Sequence, residues 1–209
     1  MRVLLRPVVV AKDGTRRERF VPADPSAWFT SYAKAMSPLV DLAEQEHVEV
    51  LSIGANYAQL EKDQPWGELI KQVRERYKGQ LTYGAGLQSE SGNGGYQQVA
   101  FWPALDVVGL EAPLPANGSW NQVEVDLDGW MQANQPGRQA IFTSAGYSAA
   151  GPDRQSFEAF KSLLGSKSWL AGANWYQWDP ALERERGSLD ADRPAADAPP
   201  VDGDAPHDN

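Results

Sequence analysis

The chain has 209 residues, 42% of them hydrophobic, which is enough for one domain with a sizeable buried core. Its formal net charge is −9, of which the segment 188–209 contributes −5, and no basic cluster argues for nucleic acid or an anionic membrane as a partner. The absence of cysteine excludes disulfides and thiolate metal sites. The two histidines, His47 and His207, have no evident ligand partner, so neither a metal nor another cofactor is expected.

The apolar runs are short. None approaches the roughly 20 residues of a membrane span, and the apolar part of residues 1–7 is too short for a signal peptide. We therefore expect a soluble protein, cytoplasmic as the chain stands, with secretion only if the natural start lies upstream of Met1.

The first part of the chain predicts strand, helix and strand. Residues 3–10 suit a strand interrupted by Pro7, and a helical pattern of apolar residues begins at Ser26, where Pro38 should kink or split the helix. The segment 48–53 is typical of a buried parallel strand. This strand is followed by a turn of small residues that ends in Asn56 and an aromatic residue. In α/β proteins, catalytic and binding residues usually lie at this edge of the sheet.

The remainder alternates between the two kinds of element. A helix is predicted from Pro65 until Gly79 stops it, and 123–130 suits a strand or a helix, with a preference for the helix. The other predicted strands are 81–85, 106–111, 139–143 and 171–176, and the other helical segments are 97–105 and 156–164. The Asp/Pro/Ala-rich residues 184–209 should form a disordered acidic tail that follows a domain of residues 1–183.

About six strands alternating with helices predict a parallel α/β sheet, either an open doubly wound sheet or a (β/α) barrel. The glycine-rich segments 84–86 and 92–95 lack the spacing of a phosphate-binding loop and a following helix N-terminus. A nucleotide site is therefore disfavoured.

Several local patterns follow one another in a fixed order along the chain. They are Leu5-Arg6-Pro7, Ala27-Trp28-Phe29 with Leu42-Ala43, Ser52 to Asn56, Trp66 to Tyr83, Phe101-Trp102 with Gly109 to Ala112, Phe142 to Tyr147, and Gly172 to Pro180. Together they resemble the clan A glycoside hydrolases, most closely the β-mannanase-type family 113. The resemblance covers most of residues 3–180.

This resemblance implies a TIM-barrel-like (β/α) fold that is incomplete, with strands three to eight of the usual eight. Nothing in the chain resembles the first two strands. Either the chain is a fragment, or a partner chain or self-association covers the open sheet edges, because exposed edges promote aggregation.

By the same resemblance, position 56 should hold the acid/base and position 144 the nucleophile of a retaining glycosidase, which needs two carboxyl groups. This chain has Asn56 and Ser144 there, and Val8 stands where the family has a histidine. An asparagine amide has no acidic proton to give, and a serine without a neighbouring histidine is a poor nucleophile.

Glu111 is the best surviving carboxylate near the same edge. It could form an ion pair with Arg6, bind a sugar hydroxyl or act as a lone acid. For Asn56 and Ser144, sugar hydrogen bonding competes with a role as small polar fillers. Trp175 and Trp178 are candidate platforms for sugar stacking, and Tyr83 and Tyr147 are weaker ones. Core packing is the alternative for all four rings, given that the chain has eight tryptophans and seven tyrosines.

Three hypotheses follow. The leading one is a glycoside-hydrolase-like protein that has lost hydrolysis and serves as a carbohydrate-binding or interaction protein, with an oligosaccharide as the expected ligand. The second is an active, β-mannanase-like hydrolase that uses displaced carboxylates such as Glu111 and Asp179. The third is a structural barrel fragment that depends on a partner chain.

Overall fold

The computed structural model describes residues 3–87, 95–113, 120–146 and 154–175. Within them, six parallel strands form one sheet, with helices in the connections. The strands are β1 (Leu4–Leu5), β2 (Val50–Ala55), β3 (Gln80–Gly86), β4 (Val108–Pro113), β5 (Ala140–Gly146) and β6 (Leu170–Trp175). The helices are α1 (Pro25–Gln45), α2 (Pro65–Arg76), α3 (Trp120–Asn134) and α4 (Arg154–Ser166).

The strand order across the sheet is the same as the order along the chain, and every neighbouring pair is parallel. A doubly wound sheet reverses its strand order at a switch point, whereas a (β/α) barrel does not. The sheet curls into a half-barrel with flanking helices, so the predicted incomplete barrel is confirmed and the doubly wound alternative is wrong.

The core lies where β2 and β3 meet the helices that follow them. Leu51, Ile53 and Ala55 of β2 are fully buried. The sequence runs apolar here because a parallel strand is covered on both faces. Gly54 permits close packing here, since a Cβ at this position would lie 2.9 Å from the side chains of Trp66 and Tyr83.

Aromatic rings fill the space around Trp66 at the start of α2. The indole is fully buried, and its ring centroid lies within 6.5 Å of six others. Those rings belong to Trp28, Phe29, Tyr32, Tyr57, Tyr83 and Phe101. Much of the aromatic richness of the chain is therefore core packing, with edge-on and stacked ring pairs.

Three local predictions differ from the structure. The first strand is only Leu4–Leu5, because Pro7 cannot donate a hydrogen bond to a sheet ladder. Helix α1 continues through Pro38, so of the predicted kink or split the split is wrong. Pro38 is exposed, so water can bind the helix carbonyl that loses its partner there. The segment 97–105 is not one helix but two 3-10 turns, Tyr96–Gln98 and Trp102–Ala104.

The other elements match the predictions in type, and several run further along the chain. The ambiguous segment 123–130 is helical, as preferred, and forms the middle of α3. Strand β5 continues from the predicted 139–143 to Gly146. None of the helices among the described residues is long and apolar enough to cross a membrane. The predicted disordered tail, 184–209, lies outside the described residues.

Candidate active site

The carboxyl ends of the six strands meet at one edge of the half-barrel, because all the strands are parallel. We call this edge the mouth and define it by Arg6, Asn56, Glu111 and Ser144. Asn56 directly follows β2, while Glu111 lies in β4 and Ser144 in β5. In the sheet register Glu111 pairs with Ser144, so the structure makes these two predicted residues direct neighbours.

Two arginines hold the carboxylate of Glu111. Arg6, directly after β1, donates to Oε1 through Nε at 2.9 Å and also through Nη2. Arg17, in the 3-10 turn Arg17–Arg19, donates to Oε2 through Nη2 at 3.2 Å. The Glu111 side chain is only 9% exposed. Of the roles predicted for Glu111, the ion pair with Arg6 is present, and Arg17 is a partner that the sequence did not predict.

A glycine makes room for this carboxylate. A Cβ at Gly84 in β3 would lie 2.7 Å from Oε1 of Glu111 and 2.7 Å from Oγ1 of Thr143. The side chains of Glu111, from β4, and Thr143, from β5, therefore both extend over Gly84 in β3. Any larger residue at position 84 would displace the carboxylate from its arginines.

Asn56 has an unusual backbone conformation. Its φ is 52°, in the left-handed region, and its N–H donates to the carbonyl of Gly84 at 2.6 Å. Asparagine adopts this region more easily than most other residues with a side chain. Its place at position 56 therefore has a backbone reason as well as a chemical one. The side chain is half-buried.

Glu61 is a buried carboxyl that the sequence reasoning missed. Its side chain accepts hydrogen bonds from the Tyr83 hydroxyl at 3.1 Å and from the Gly95 backbone N–H at 2.8 Å. Burial raises the pKa of Glu61 from 4.5 to about 7, against the lowering effect of these two hydrogen bonds. The one signal in the sequence is a carboxylate close after the strand that ends at the mouth.

Tyr83 connects Glu61 to the turn after β2. Besides donating to Glu61, its hydroxyl accepts a hydrogen bond from the Tyr57 N–H at 2.7 Å. Burial raises the pKa of Tyr83 well above its ordinary value. The side chain is fully buried, which leaves its ring no exposed face on which a sugar could stack.

The remaining predicted residues are described only in part. Strand β6 ends at Trp175, but the side chain of that residue is not described, and Tyr147, Trp178 and Asp179 lie outside the described residues. Val8 is half-buried. Within the described ranges, no group of three or more His, Cys, Asp or Glu side chains could hold a metal ion.

The sheet order and the mouth define a protein of the (β/α)-barrel class. The model of Glycoside Hydrolase Family 113 matches residues 1–193, and the chain belongs to this family. No curated protein sequence matches the chain.

Solved structures of the same family have the same fold. A family 113 β-1,4-mannanase superposes with a TM-score of 0.72 at 24% identity, over 87% of this chain and 66% of the mannanase. The β-mannanase of Alicyclobacillus acidocaldarius, in complex with ManMIm, gives 0.69 at 22% identity, over 85% and 63%. More distantly, an endo-β-1,4-glucanase of Xanthomonas axonopodis pv. citri gives 0.52 at 13%, over 73% and 58%. The chain thus spans between 58% and 66% of the length of these three structures, less than two thirds of each.

Proposed function

We propose that this chain is a non-hydrolytic member of glycoside hydrolase family 113 that binds an oligosaccharide at the mouth. The observation that carries the proposal is that the carboxyl groups expected at the mouth are replaced, and that the one present is already engaged. Positions 56 and 144 hold an amide and a hydroxyl, and both oxygens of Glu111 are engaged by arginines.

Retaining hydrolysis needs one carboxyl group to protonate the leaving group and a second, about 5–5.5 Å away, to attack the sugar. Neither Asn56 nor Ser144 can do either step in this way. Glu111 accepts hydrogen bonds from two guanidinium groups, and moving it onto a sugar would leave two partly buried cations without their anion. These features support binding without turnover.

The groups proposed to bind sugar are polar and aromatic. The Asn56 amide and the Ser144 hydroxyl both donate and accept hydrogen bonds, as sugar hydroxyls require. We propose Trp175, Trp178 and Tyr147 as stacking platforms, because aromatic faces suit the apolar faces of pyranose rings. For Tyr83 we propose a different role, that of holding Glu61 and the turn after β2.

The first test is hydrolysis of β-1,4-mannan oligosaccharides by the purified chain, with product sugars measured over days. We expect no turnover above a buffer blank. The double variant Asn56→Glu with Ser144→Glu restores both carboxyl groups and should gain measurable hydrolysis, while either single variant should not. Wild-type turnover would overturn the proposal.

An active enzyme with a displaced acid is the second candidate, and one observation favours it. Glu61 has the raised pKa that a general acid needs near neutral pH, although its fully buried side chain would have to leave Tyr83 and Gly95 to reach a sugar. If hydrolysis is found, Glu61→Gln and Glu111→Gln should each be assayed. Loss of turnover in either variant, with folding retained, would assign the acid.

We further propose that a second copy or a partner chain covers the open edges of the half-barrel. Strands β1 and β6 each pair with a single neighbour in the described sheet, and Ala171, Ala173 and Asn174 of β6 are exposed. Unpaired N–H and C=O groups along such an edge favour pairing with another strand. Light scattering after size exclusion tests this, and a monodisperse monomer would contradict it.

A further inference from the structure

Among the described residues, more positive than negative side chains contact each other around the Glu111 carboxylate at the mouth. Two guanidinium groups, those of Arg6 and Arg17, converge on the single carboxylate of Glu111. The two nearby positions where the family resemblance implies carboxylates, 56 and 144, are uncharged here. With carboxylates at positions 56 and 144, the mouth would repel an anion. With the uncharged residues present here, it attracts one.

Arg17 also has an unused donor. Its Nε is buried and has no hydrogen-bond partner among the described residues. Buried guanidinium N–H groups without an acceptor are rare, because each costs the desolvation of a charged donor. The side chain as a whole is 29% exposed, so it is not sealed from the mouth. Oε1 of Glu18 is likewise buried without a hydrogen-bond partner among these residues, and a ligand acceptor reaches the Arg17 Nε only when the side chains over it move aside.

Other charged groups nearby, within the part of the chain that the structure describes, do not cancel this excess. Glu18 is paired with Arg16, which makes a separate neutral pair. Glu61 is the remaining carboxyl close enough to interact with Glu111, but it is fully buried and engaged with Tyr83 and Gly95. Since the pKa of Glu61 is raised to about 7, this carboxyl is mostly protonated at pH 6.

We infer that the carbohydrate bound at the mouth is acidic, with a hexuronate carboxylate held by Arg17 and Arg6 beside Glu111. This inference rests on the proposed carbohydrate binding. Arginine suits the task because its planar fork matches a carboxylate and stays charged at all working pH values. The neutral Asn56 and Ser144 would hydrogen-bond the hydroxyls of the same sugar.

Two ligands that differ only at C6 provide the test. Mannotetraose and the mannuronate tetramer share the β-1,4 linkage and ring stereochemistry, but the second carries a carboxylate on every ring. Binding is measured by calorimetry with the full chain at pH 6 and low salt. We expect the mannuronate tetramer to bind about tenfold more tightly or better, as one charge-assisted hydrogen bond implies. Added NaCl should reduce this preference.

Arg17→Gln should bring the ratio of the two affinities close to one, whereas Arg17→Lys should keep part of the preference, because the charge remains without the fork. Arg19→Gln removes the same charge from the same 3-10 turn and should leave the ratio unchanged. Melting curves show which variants fold. If Arg17→Gln does not fold, the ratio of the two affinities in the wild type and in Arg17→Lys still tests the inference.

The outcomes separate the two proposals. Equal binding of both tetramers, or tighter binding of mannotetraose, overturns the acidic ligand and leaves carbohydrate binding standing. The acidic ligand is also overturned if Arg19→Gln reduces the preference for the mannuronate tetramer as much as Arg17→Gln does. The preference would then depend on the net charge of the chain and not on Arg17. If neither tetramer binds, carbohydrate binding itself fails, and the inference fails with it.

Discussion

Arg6 and Glu111 form an ion pair that joins the end of β1 to β4 across the two strands between them. In a flat sheet these strands would lie about 14 Å apart, since neighbouring strands are spaced by roughly 4.8 Å. The pair therefore depends on the curl of the half-barrel, and it closes the concave side of the sheet at the mouth. Arg17 adds a third side chain from the connection between β1 and α1.

Glu111→Gln should destabilise the fold by about 2 kcal/mol, because it leaves two partly buried guanidinium groups facing a neutral amide. The partial exposure of both arginines keeps the expected cost below that of a fully buried pair. Asp41→Asn is the matched control, since it breaks the exposed pair with Arg76 and should cost less than about 0.5 kcal/mol. Urea unfolding measures both, and equal costs would contradict the central place of Glu111.

Asn56→Ala should lower stability by about 1 kcal/mol, because alanine adopts the left-handed region with φ near 52° less readily than asparagine does. Asn56→Gly should cost much less at the same site, since glycine enters this region freely. Thermal melting of both variants compares them directly. If the alanine variant is as stable as the glycine variant, the backbone does not explain the asparagine. The same strain should reduce the stability of Asn56→Glu in the restoration experiment.

Glu61 should make the stability of the fold depend on pH. Its pKa is raised from 4.5 to about 7 in the folded chain, so between these values the unfolded chain releases a proton that the folded chain retains. Its stabilising contribution is complete below pH 4.5 and is lost as the pH rises to 7, by roughly 3 kcal/mol if the whole shift is realised.

Glu61→Gln removes this titration. Relative to wild type, the variant should therefore gain stability as the pH rises from 5 to 7, whatever its absolute stability. Glu68→Gln, on the exposed surface of α2, should follow the wild-type pH profile. Urea midpoints at several pH values give the comparison, and parallel profiles for wild type and Glu61→Gln would refute the role assigned to burial.

Gly54→Ala should destabilise the chain by about 1–3 kcal/mol, since its methyl group would press on Trp66 and Tyr83 at 2.9 Å. Gly67→Ala, within helix α2, meets no atom within 4 Å and should instead stabilise by about 0.5–1 kcal/mol. Opposite signs in thermal melting are expected. Two changes of the same sign would mean that the aromatic cluster around Trp66 can move to accept a methyl group.

The alternation of strands and helices was readable from the sequence because each element has its own apolar period. Strands β2 and β3 and helix α2 were predicted within a few residues. The length of β1 and the unbroken course of α1 were not, because both depend on whether a proline meets a sheet partner or solvent. The residues and solvent that surround Pro7 and Pro38 in space decide this, and their neighbours in sequence do not reveal it.

The amino-acid order alone shows which groups are available at the mouth, namely an amide at 56, a hydroxyl at 144 and a carboxylate at 111. It also indicates the family, because ordered local patterns persist where the site residues have changed. How the carboxyl groups are used follows from contacts between residues far apart in the chain. Arg17 and Glu111 are 94 residues apart, and Glu61, in the connection after β2, meets Tyr83 of β3 and Gly95 of the connection after β3. Ionisation and hydrogen bonding depend on distance and burial in space, and these arise only when the sheet curls.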